Sequence, residues 1–252
     1  MTRLFKTLAA GSMLALAFTH AAPALAIDEQ QKQEMGAFIR EYLLQNPEIL
    51  LEVQDALQAK QASQRTAMST KGIADNKQAI FTSPNDVVLG NPKGDVTVVE
   101  FFDYNCGYCK RALSDMNELL EKDPNIRFVL KEFPILGPDS LAAHRVANAV
   151  RLLAPGKYAE FHQELMGQSH ASEKSAIAVA SSLGLNEADI RKSMAENPND
   201  DIVREAYELA TAIGITGTPT YVVGDEAVFG AQGVDALEPK VANVRACGKA
   251  TC

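Results

Sequence analysis

Apolar residues near the start of the chain recur at the spacing of amphipathic helices. They follow one another at steps of three and four residues on both sides of Asn46-Pro47, at Met35, Phe38, Ile39, Tyr42, Leu43, Ile49, Leu50, Val53 and Leu57. Such spacing places the apolar side chains on one face of a helix. We therefore predict a helical hairpin or a kinked helix within residues 27–60.

The composition then changes between residues 61 and 86. Gln, Ala, Ser, Lys and Thr dominate, Gly72 lies near the middle, and Ser83-Pro84-Asn85 comes near the end. This pattern predicts a linker that can be partly helical. A short apolar-faced segment before a polar linker has too little core to be stable alone. We expect residues 27–60 to pack on the following domain or, as the favoured interpretation, to associate with copies of themselves.

From about Val87 the pattern becomes that of an α/β domain. Residues 96–102 and 126–133 are short, apolar and rich in β-branched and aromatic residues, which predicts two buried strands. Apolar positions between residues 112 and 120 follow helical spacing. A strand, a loop, a helix and a second strand form a βαβ unit.

The rest of the chain predicts a long helical block followed by a hairpin. Residues 139–214 are largely helical by pattern, too long a stretch for a simple crossover. We expect this block to pack as a subdomain over the catalytic face. Residues 220–223 and 226–229 flank Gly224-Asp225, which predicts two antiparallel strands with a tight turn. A final helix is expected from about residue 234 to residue 245.

The first residues are typical of an export signal. Arg3 and Lys6 precede the apolar stretch Leu8–Phe18, and Ala24-Leu25-Ala26 has the small-x-small pattern of a signal peptidase site. The alternative is a membrane anchor, but the apolar run is shorter than the roughly 20 residues that span a bilayer. We predict a signal peptide over residues 1–26 and a periplasmic mature chain.

Charge and cysteine content narrow the possible partners. The chain has 24 basic and 32 acidic residues, for a formal net charge of −8, which argues against a nucleic-acid partner.

In an oxidising compartment disulfides form and persist. The four cysteines form two short pairs, and we interpret the C-terminal pair, Cys247 and Cys252, as a structural disulfide; a second redox centre is the alternative.

The other pair, Cys106-Gly107-Tyr108-Cys109, lies between a predicted strand and a predicted helix. A thiolate at a helix N-terminus is favoured by unpaired N–H groups and the helix dipole, so Cys106 is the expected nucleophile. Cys109, one turn later, would resolve the mixed disulfide. A zinc site shared with the tail pair is the alternative, but the tail spacing is loose.

Two further features of the sequence suggest site residues. Glu100 lies in an otherwise apolar strand, so it is either a buried carboxylate that exchanges protons with Cys109 or an outward-facing residue at an edge. Thr218-Pro219 precedes a strand, which predicts a special bond geometry or an ordinary turn. In the first case the Thr218 backbone could pair with an extended substrate.

The histidines show no pattern of a functional site. Those beyond the predicted signal peptide follow no ligand spacing, and we interpret them as surface or packing residues: His144, His162 and His170. We predict neither a metal nor a cofactor.

The segment Val99–Cys109, together with Gly217–Thr220, resembles the DsbA-like branch of the thioredoxin superfamily. The resemblance covers roughly residues 87–247. It implies an α/β thioredoxin-like fold over residues 87–252, with an inserted helical domain at about residues 139–214. It also implies a peptide-binding groove around the site, for which the candidate residues are Gly107, Tyr108, Thr218 and Pro219.

The N-terminal segment resembles that of suppressor-of-copper-sensitivity protein C and its relatives, some of which trimerise. The Gly-Tyr dipeptide also matches DsbC-type isomerases. The resemblance implies a homo-oligomeric disulfide isomerase, with a trimer favoured, that acts on exported proteins bearing disulfides or free thiols. A membrane thiol reductant would keep the pair reduced. The absence of a His between the cysteines departs from DsbA oxidases and argues against strong oxidase activity.

Two alternatives for the function remain open from the sequence. The first is a monomeric dithiol oxidase whose N-terminal helices pack on the catalytic domain. The second is a copper protein, because two soft thiolates can hold Cu(I).

Overall fold

A computed structural model of the chain describes residues 28–252, and the predicted signal peptide lies outside the described residues. The described helices are α1 (Glu29–Gln45), α2 (Glu48–Asp75), α3 (Lys77–Phe81), α4 (Gly107–Lys122), α5 (Pro138–Leu153), α6 (Tyr158–Met166), α7 (Glu173–Ser182), α8 (Glu187–Glu196), α9 (Asp200–Ile213) and α10 (Val234–Cys247). The strands are β1 (Val87–Gly90), β2 (Val96–Phe102), β3 (Ile126–Glu132), β4 (Thr220–Val223) and β5 (Glu226–Phe229). None of the helices within residues 28–252 is long and apolar enough to span a membrane.

The chain divides into two compact units, with the boundary between Ala56 and Leu57. In the described part of the first unit, Asp28 caps α1 and forms reciprocal hydrogen bonds with Gln31. A two-residue break at Asn46-Pro47 separates α1 from α2, in agreement with the predicted pair of helices. Many of the apolar side chains of this unit are exposed, namely Met35, Phe38, Ile39, Tyr42, Leu44, Leu50, Leu51 and Val53.

The segment predicted as a linker, residues 61–86, differs in the structure. Helix α2 continues without a break to Asp75 and α3 follows at once. Ala, Gln, Lys and Arg are good helix formers, so the stretch is helical although it lacks an apolar period. Ile73 and Ile80 are fully buried in the same cluster as the side chains of α9.

Helix α3 and the segment that follows it are also held against the sheet. Arg127 of β3 donates a hydrogen bond to the Phe81 carbonyl oxygen at 2.7 Å. Lys131, on the same strand, donates to the Ala79 carbonyl oxygen at 2.9 Å and forms a buried ion pair with Asp86 at 2.7 Å. The ordered domain therefore begins well before Val87.

The five strands form one mixed sheet of order β1-β3-β2-β4-β5. Strands β2 and β3 are parallel and α4 connects them, as the predicted βαβ unit requires. Strands β1, β4 and β5 pair in the antiparallel sense. The predicted hairpin is confirmed, whereas β1 was not predicted because it is short and surrounded by polar residues.

Each face of the sheet packs on a separate hydrophobic cluster. Val98 and Phe102 of β2 contact the cluster that contains α4 and α10, whereas Val99 and Phe101 belong to the cluster with α9. Alternate residues of a strand point to opposite faces. Glu100 therefore shares the face of Val98 and Phe102, on the side of α4.

The helical block predicted over residues 139–214 corresponds to α5–α9, but its members serve two different surfaces. Helices α5, α6, α7 and α8 pack on one another and contribute to the cluster that includes α4. Helix α9 instead packs on the opposite sheet face through Leu209 and Ile213. The expectation that the whole block lies over the catalytic face is wrong for α9, because its apolar stripe matches the sheet.

Candidate active site

The two central cysteines lie at the start of α4. Cys106 is the N-cap residue and Cys109 lies in the first turn of the helix. The side chain of Cys106 retains 7% exposure, whereas that of Cys109 retains 1%. Cys106 is therefore the sulfur that another molecule reaches first.

The environment separates the acidities of the two thiols. The pKa of Cys106 is lowered to about 5, chiefly by the hydrogen bond from the Cys109 side chain and also by the side chain of Thr218 and backbone N–H groups of the helix start; burial opposes this shift. The pKa of Cys109 is raised, first by burial and then by its hydrogen bond with Cys106 and the charge of Glu100. At neutral pH the pair holds one thiolate, at Cys106, and one thiol.

The loop before β4 lies directly against Cys106. Its Sγ atom is 3.1 Å from the Thr218 carbonyl oxygen, which accepts a hydrogen bond when the sulfur is protonated. The Thr218-Pro219 peptide bond is cis, in agreement with the predicted special geometry. Thr220 donates a side-chain hydrogen bond to the Gly217 carbonyl oxygen at 2.8 Å, which fixes the loop at the strand start.

Glu100 is buried beneath this pair, with 3% exposure, on the central strand β2. Its neighbours in the sheet are Leu130 and Tyr221. Burial, followed by the negative charges of Cys106 and Asp115, raises the pKa of Glu100 to about 8. The interpretation as a buried carboxylate is confirmed, and the alternative of an exposed edge residue is wrong.

The dipeptide between the cysteines is open to solvent. Tyr108 is 61% exposed, and the Arg111 guanidinium lies 4.3 Å from the centre of its ring, in a cation–π contact. Gly107 is exposed, and a Cβ atom built there meets no atom within 4 Å. Tyr108, Thr218 and Pro219 line one cavity of about 350 Å³.

A polar network that the sequence did not indicate holds the active-site loop. Asp103, fully buried, accepts hydrogen bonds from the Ser140 hydroxyl at 2.7 Å and from the Leu136 N–H at 2.9 Å. Asn105 exchanges two hydrogen bonds with the backbone of Ala171, at 2.8 and 2.9 Å. These partners lie 33 to 66 residues away in the sequence, so the one local signal for Asp103 and Asn105 is their position just before the C-x-x-C motif.

A second buried cluster lies behind Tyr104. Its hydroxyl is 3.2 Å from that of Tyr158, which donates to Glu132 at 3.0 Å, and 3.3 Å from Nδ1 of His162. His162 and His144 are buried, as packing residues would be. Burial lowers the pKa of His162 to about 3, so the ring is neutral. His170 is instead exposed and lies 2.8 Å from Asp139.

The C-terminal cysteines are bonded to each other. Cys247, at the end of α10, and Cys252 form a disulfide with an S–S distance of 2.11 Å. The buried Ala250 between them donates its N–H to Asp225 in the β4–β5 turn at 2.9 Å. Both sulfur atoms are thus used within the tail, and within residues 28–252 no group of three His, Cys, Asp or Glu side chains is placed to hold a metal ion.

Comparison with solved structures gives similar proteins of known fold. A thioredoxin-like oxidoreductase from Silicibacter pomeroyi is 42% identical, with a TM-score of 0.65 over 68% of this chain and 99% of that chain. A linker-deletion mutant of Proteus mirabilis ScsC is 27% identical, with a TM-score of 0.63 over 88% of this chain and 99% of that chain.

A curated relative is much longer than this chain. The Na⁺/H⁺ antiporter NhaA 1 of Salinispora arenicola is 28% identical over 62% of this chain and 24% of its own length. The chain thus spans about a quarter of that relative.

Family models match both parts of the described chain. The Copper resistance protein ScsC N-terminal domain matches residues 31–64. The DSBA-like thioredoxin domain matches residues 97–242, which is more than half of the chain. The matched residues include Cys106, Cys109 and the cis-proline loop. The chain therefore belongs to the DSBA-like thioredoxin domain family.

Proposed function

We propose that this chain is a thiol-disulfide oxidoreductase that acts as a disulfide isomerase and reductase on exported proteins. The observation that carries the proposal is the split in acidity within the pair, with the pKa of Cys106 at about 5 and that of Cys109 raised. A nucleophile must be ionised at the working pH, and its partner must stay protonated until needed. The family and the α4 N-terminus support the same assignment.

In the first step the Cys106 thiolate attacks one sulfur of a substrate disulfide. A Cys106–substrate disulfide forms, the substrate S–S bond breaks, and the second substrate sulfur leaves as a thiolate. In isomerisation, a substrate thiolate attacks the mixed disulfide, and Cys106 is released unchanged. In reduction, Cys109 attacks Cys106, so two electrons pass to the substrate and the Cys106–Cys109 disulfide remains.

Cys109 must lose a proton before it can attack, and we assign Glu100 as the proton acceptor. The carboxyl is buried on the α4 side of the sheet, and its charge acts on Cys109. A group with a pKa of about 8 exchanges protons readily near neutral pH. The negative charge of Cys106 contributes to the raised pKa of Glu100. In the mixed disulfide this charge is gone, so Glu100 loses its own proton more readily and can then accept the proton of Cys109.

The substrate chain is expected to lie along the cis-proline loop. The Thr218 carbonyl is next to Cys106, so backbone hydrogen bonds at Thr218 would align an extended segment with the attacking sulfur. Tyr108, which lines the same cavity as this loop, offers an exposed ring. Backbone pairing of this kind binds many sequences, as a folding enzyme requires.

The N-terminal helices support the proposal of a homo-oligomer, for which a trimer is favoured. Several of their apolar residues, among them Phe38 and Leu51, are more than half exposed. An apolar face of this kind is stabilised by association with other copies. Oligomerisation would keep Cys106 away from enzymes that oxidise it, and a membrane thiol reductant would keep the pair reduced. The export signal predicted over residues 1–26 supports the proposal that this activity is periplasmic.

Refolding of scrambled ribonuclease by the full chain tests the function. Cys106→Ser should abolish isomerisation, whereas Cys109→Ser should retain part of it and accumulate the mixed disulfide. Equal activity of Cys106→Ser and the native chain would overturn the proposal.

Substitutions in the full chain test the role of oligomerisation. Deleting the N-terminal helices together with residues 61–86 would also remove Ile73 and Ile80, which belong to the core. Phe38→Asp combined with Leu51→Asp should lower both the mass in solution and the isomerase activity. Gln33→Asp, on the same helix, is the matched control. Unchanged mass and activity in the double variant would favour the monomeric dithiol oxidase.

Cu(I) binding is a second candidate function, favoured by the match of residues 31–64 to the Copper resistance protein ScsC N-terminal domain. Cys106 and Cys109 in the reduced state offer two soft sulfur ligands, which suit Cu(I). Titration with Cu(I) should show binding that Cys106→Ser abolishes. Undiminished tight binding by that variant would exclude the pair as the copper site.

A further inference from the structure

The cavity beside Cys106 extends away from the two cysteines toward helix α2. It has a volume of about 350 Å³, and Tyr108, Thr218 and Pro219 line the end near the active site. Phe229, Gln232 and Arg65 are among the other residues that line it. A volume of this size accommodates a substrate side chain.

Arg65 is brought into this cavity by α2. Its guanidinium carbon lies 5.1 Å from the centre of the Phe229 ring, in a cation–π contact. Phe229 pairs with Thr220 in the β4–β5 ladder. Thr220 is the residue that follows Pro219. Phe229 thus connects the cis-proline loop with Arg65, a charged residue of α2.

The charge at this place is opposite to that of the chain as a whole. The chain carries a net charge of −8, yet among the described residues that line the cavity Arg65 is the charged one. Within residues 28–252, no carboxylate forms an ion pair with Arg65.

A larger adjoining cavity of about 880 Å³ is also lined by Arg65, together with Lys240. Lys240 is already paired with Glu226 at 2.5 Å. Of these two cations, Arg65 is the one that forms no ion pair within residues 28–252, so its guanidinium is available to an external anion.

We propose that Arg65 is a specificity-determining residue that favours substrate segments with an Asp or Glu side chain next to the attacked cysteine. The inference rests on the proposed exchange at Cys106. In an extended segment held at Thr218, successive side chains alternate in direction, so a neighbour of the attacked cysteine enters the cavity. A carboxylate there meets the guanidinium, which binds carboxylates with two parallel hydrogen bonds.

The test compares two cyclic peptides, each closed by one disulfide and differing only in a Glu or a Gln next to one cysteine. The rate of their reduction by the reduced full chain gives a Glu/Gln ratio for each variant. Because partly exposed charge pairs are weak, the native chain should prefer the Glu peptide by about threefold to fivefold. Arg65→Gln should bring the ratio to about one, and Arg65→Glu should invert it.

Arg204→Gln, an exposed arginine of α9, is the matched control and should keep the native ratio. Arg65→Lys retains the charge and should keep part of the preference. A native ratio of one, or a preference that persists in Arg65→Gln, would overturn the assignment of Arg65.

A neutral aromatic disulfide separates this inference from the proposed function. If the native chain reduces it through Cys106 but shows no Glu/Gln preference, only the role of Arg65 fails. If Cys106 reacts with it no faster than a free thiol, the proposed function fails, and the inference with it.

Discussion

Gly72 and Ala212 are in direct contact across the α2–α9 interface, since a Cβ atom on Gly72 would lie 2.2 Å from the Ala212 carbonyl oxygen. No larger residue fits without movement of one helix. Ile73, the next residue, is fully buried among the side chains of α9. The position of Arg65, two turns earlier on α2, depends on this contact.

Gly72→Ala should destabilise the chain by about 1–3 kcal/mol, because the added methyl group forces α2 and α9 apart. The free energy of unfolding in urea measures the effect. If Arg65 acts as proposed, the Glu/Gln preference should fall in the same variant.

Gly36→Ala is the matched control for this substitution. Gly36 is also helical, but a Cβ atom there meets no atom within 4 Å. Replacing a helical glycine by alanine stabilises an exposed helix by up to about 1 kcal/mol. Equal destabilisation by both substitutions would contradict the close packing at Gly72.

The Cys109 side chain is the largest cause of the low pKa of Cys106, so its removal should raise that pKa. In the reduced native chain, the alkylation rate of Cys106 should be flat above pH 6 and fall as the pH drops through about 5. Cys109→Ala should shift this profile to higher pH by more than Cys109→Ser, because serine retains a hydroxyl donor. Identical profiles for both variants and the native chain would show that Cys109 does not control the thiolate.

Glu100→Gln should flatten the dependence of stability on pH. The pKa of Glu100 in the folded chain, about 8, lies above its ordinary value of 4.5, so the folded chain keeps a proton that the unfolded chain releases. The stability linked to this proton is full below pH 4.5 and is lost as the pH rises through 8. The neutral variant should therefore be more stable than the native chain by roughly 3 kcal/mol at pH 7.

The same variant tests the assignment of Glu100 as a proton acceptor. Release of substrate from the mixed disulfide by Cys109 should slow, whereas alkylation of Cys106 should change little. Urea unfolding between pH 4 and pH 9, with stopped-flow release kinetics, gives both readouts. A stability difference that does not vary with pH would contradict a raised pKa at Glu100.

Removal of the Cys247–Cys252 disulfide should lower the stability of the chain and leave its isomerase activity unchanged. Cys247→Ser combined with Cys252→Ser opens a short loop, which the chain-entropy relation values at about 2 kcal/mol. Thermal unfolding measures the loss, and isomerase activity at a temperature below the transition should equal that of the native chain. A large fall in activity there would favour the second redox centre.

The sequence predicted those parts of the fold whose causes are local. Residues 96–102 form a strand because β-branched and aromatic side chains fit a buried sheet, and the Gly224-Asp225 turn defines the hairpin. The burial of Glu100 followed from its apolar neighbours. The placement of the cysteine pair at a helix start followed from the strand before it and the apolar period after it.

The remaining features depend on contacts distant in sequence. The polar stretch of α2 gives no apolar period, because its packing depends on a few positions near its end, such as Gly72 and Ile73. Asp103 and Asn105 carry no pattern that reveals their partners in α5 and before α7. The pairing of Arg65 with a cavity next to Cys106 likewise exists only once β5 is folded beside α2.

His162 is buried behind the active-site loop with a pKa of about 3. A histidine usually gains its proton between pH 5 and 8 and so acts as an acid sensor. This ring stays uncharged throughout that interval, so mild acidification of the surroundings adds no charge at His162. An acid environment would then quench the chemistry gradually, by protonating the sulfur of Cys106, and not through a switch at this ring.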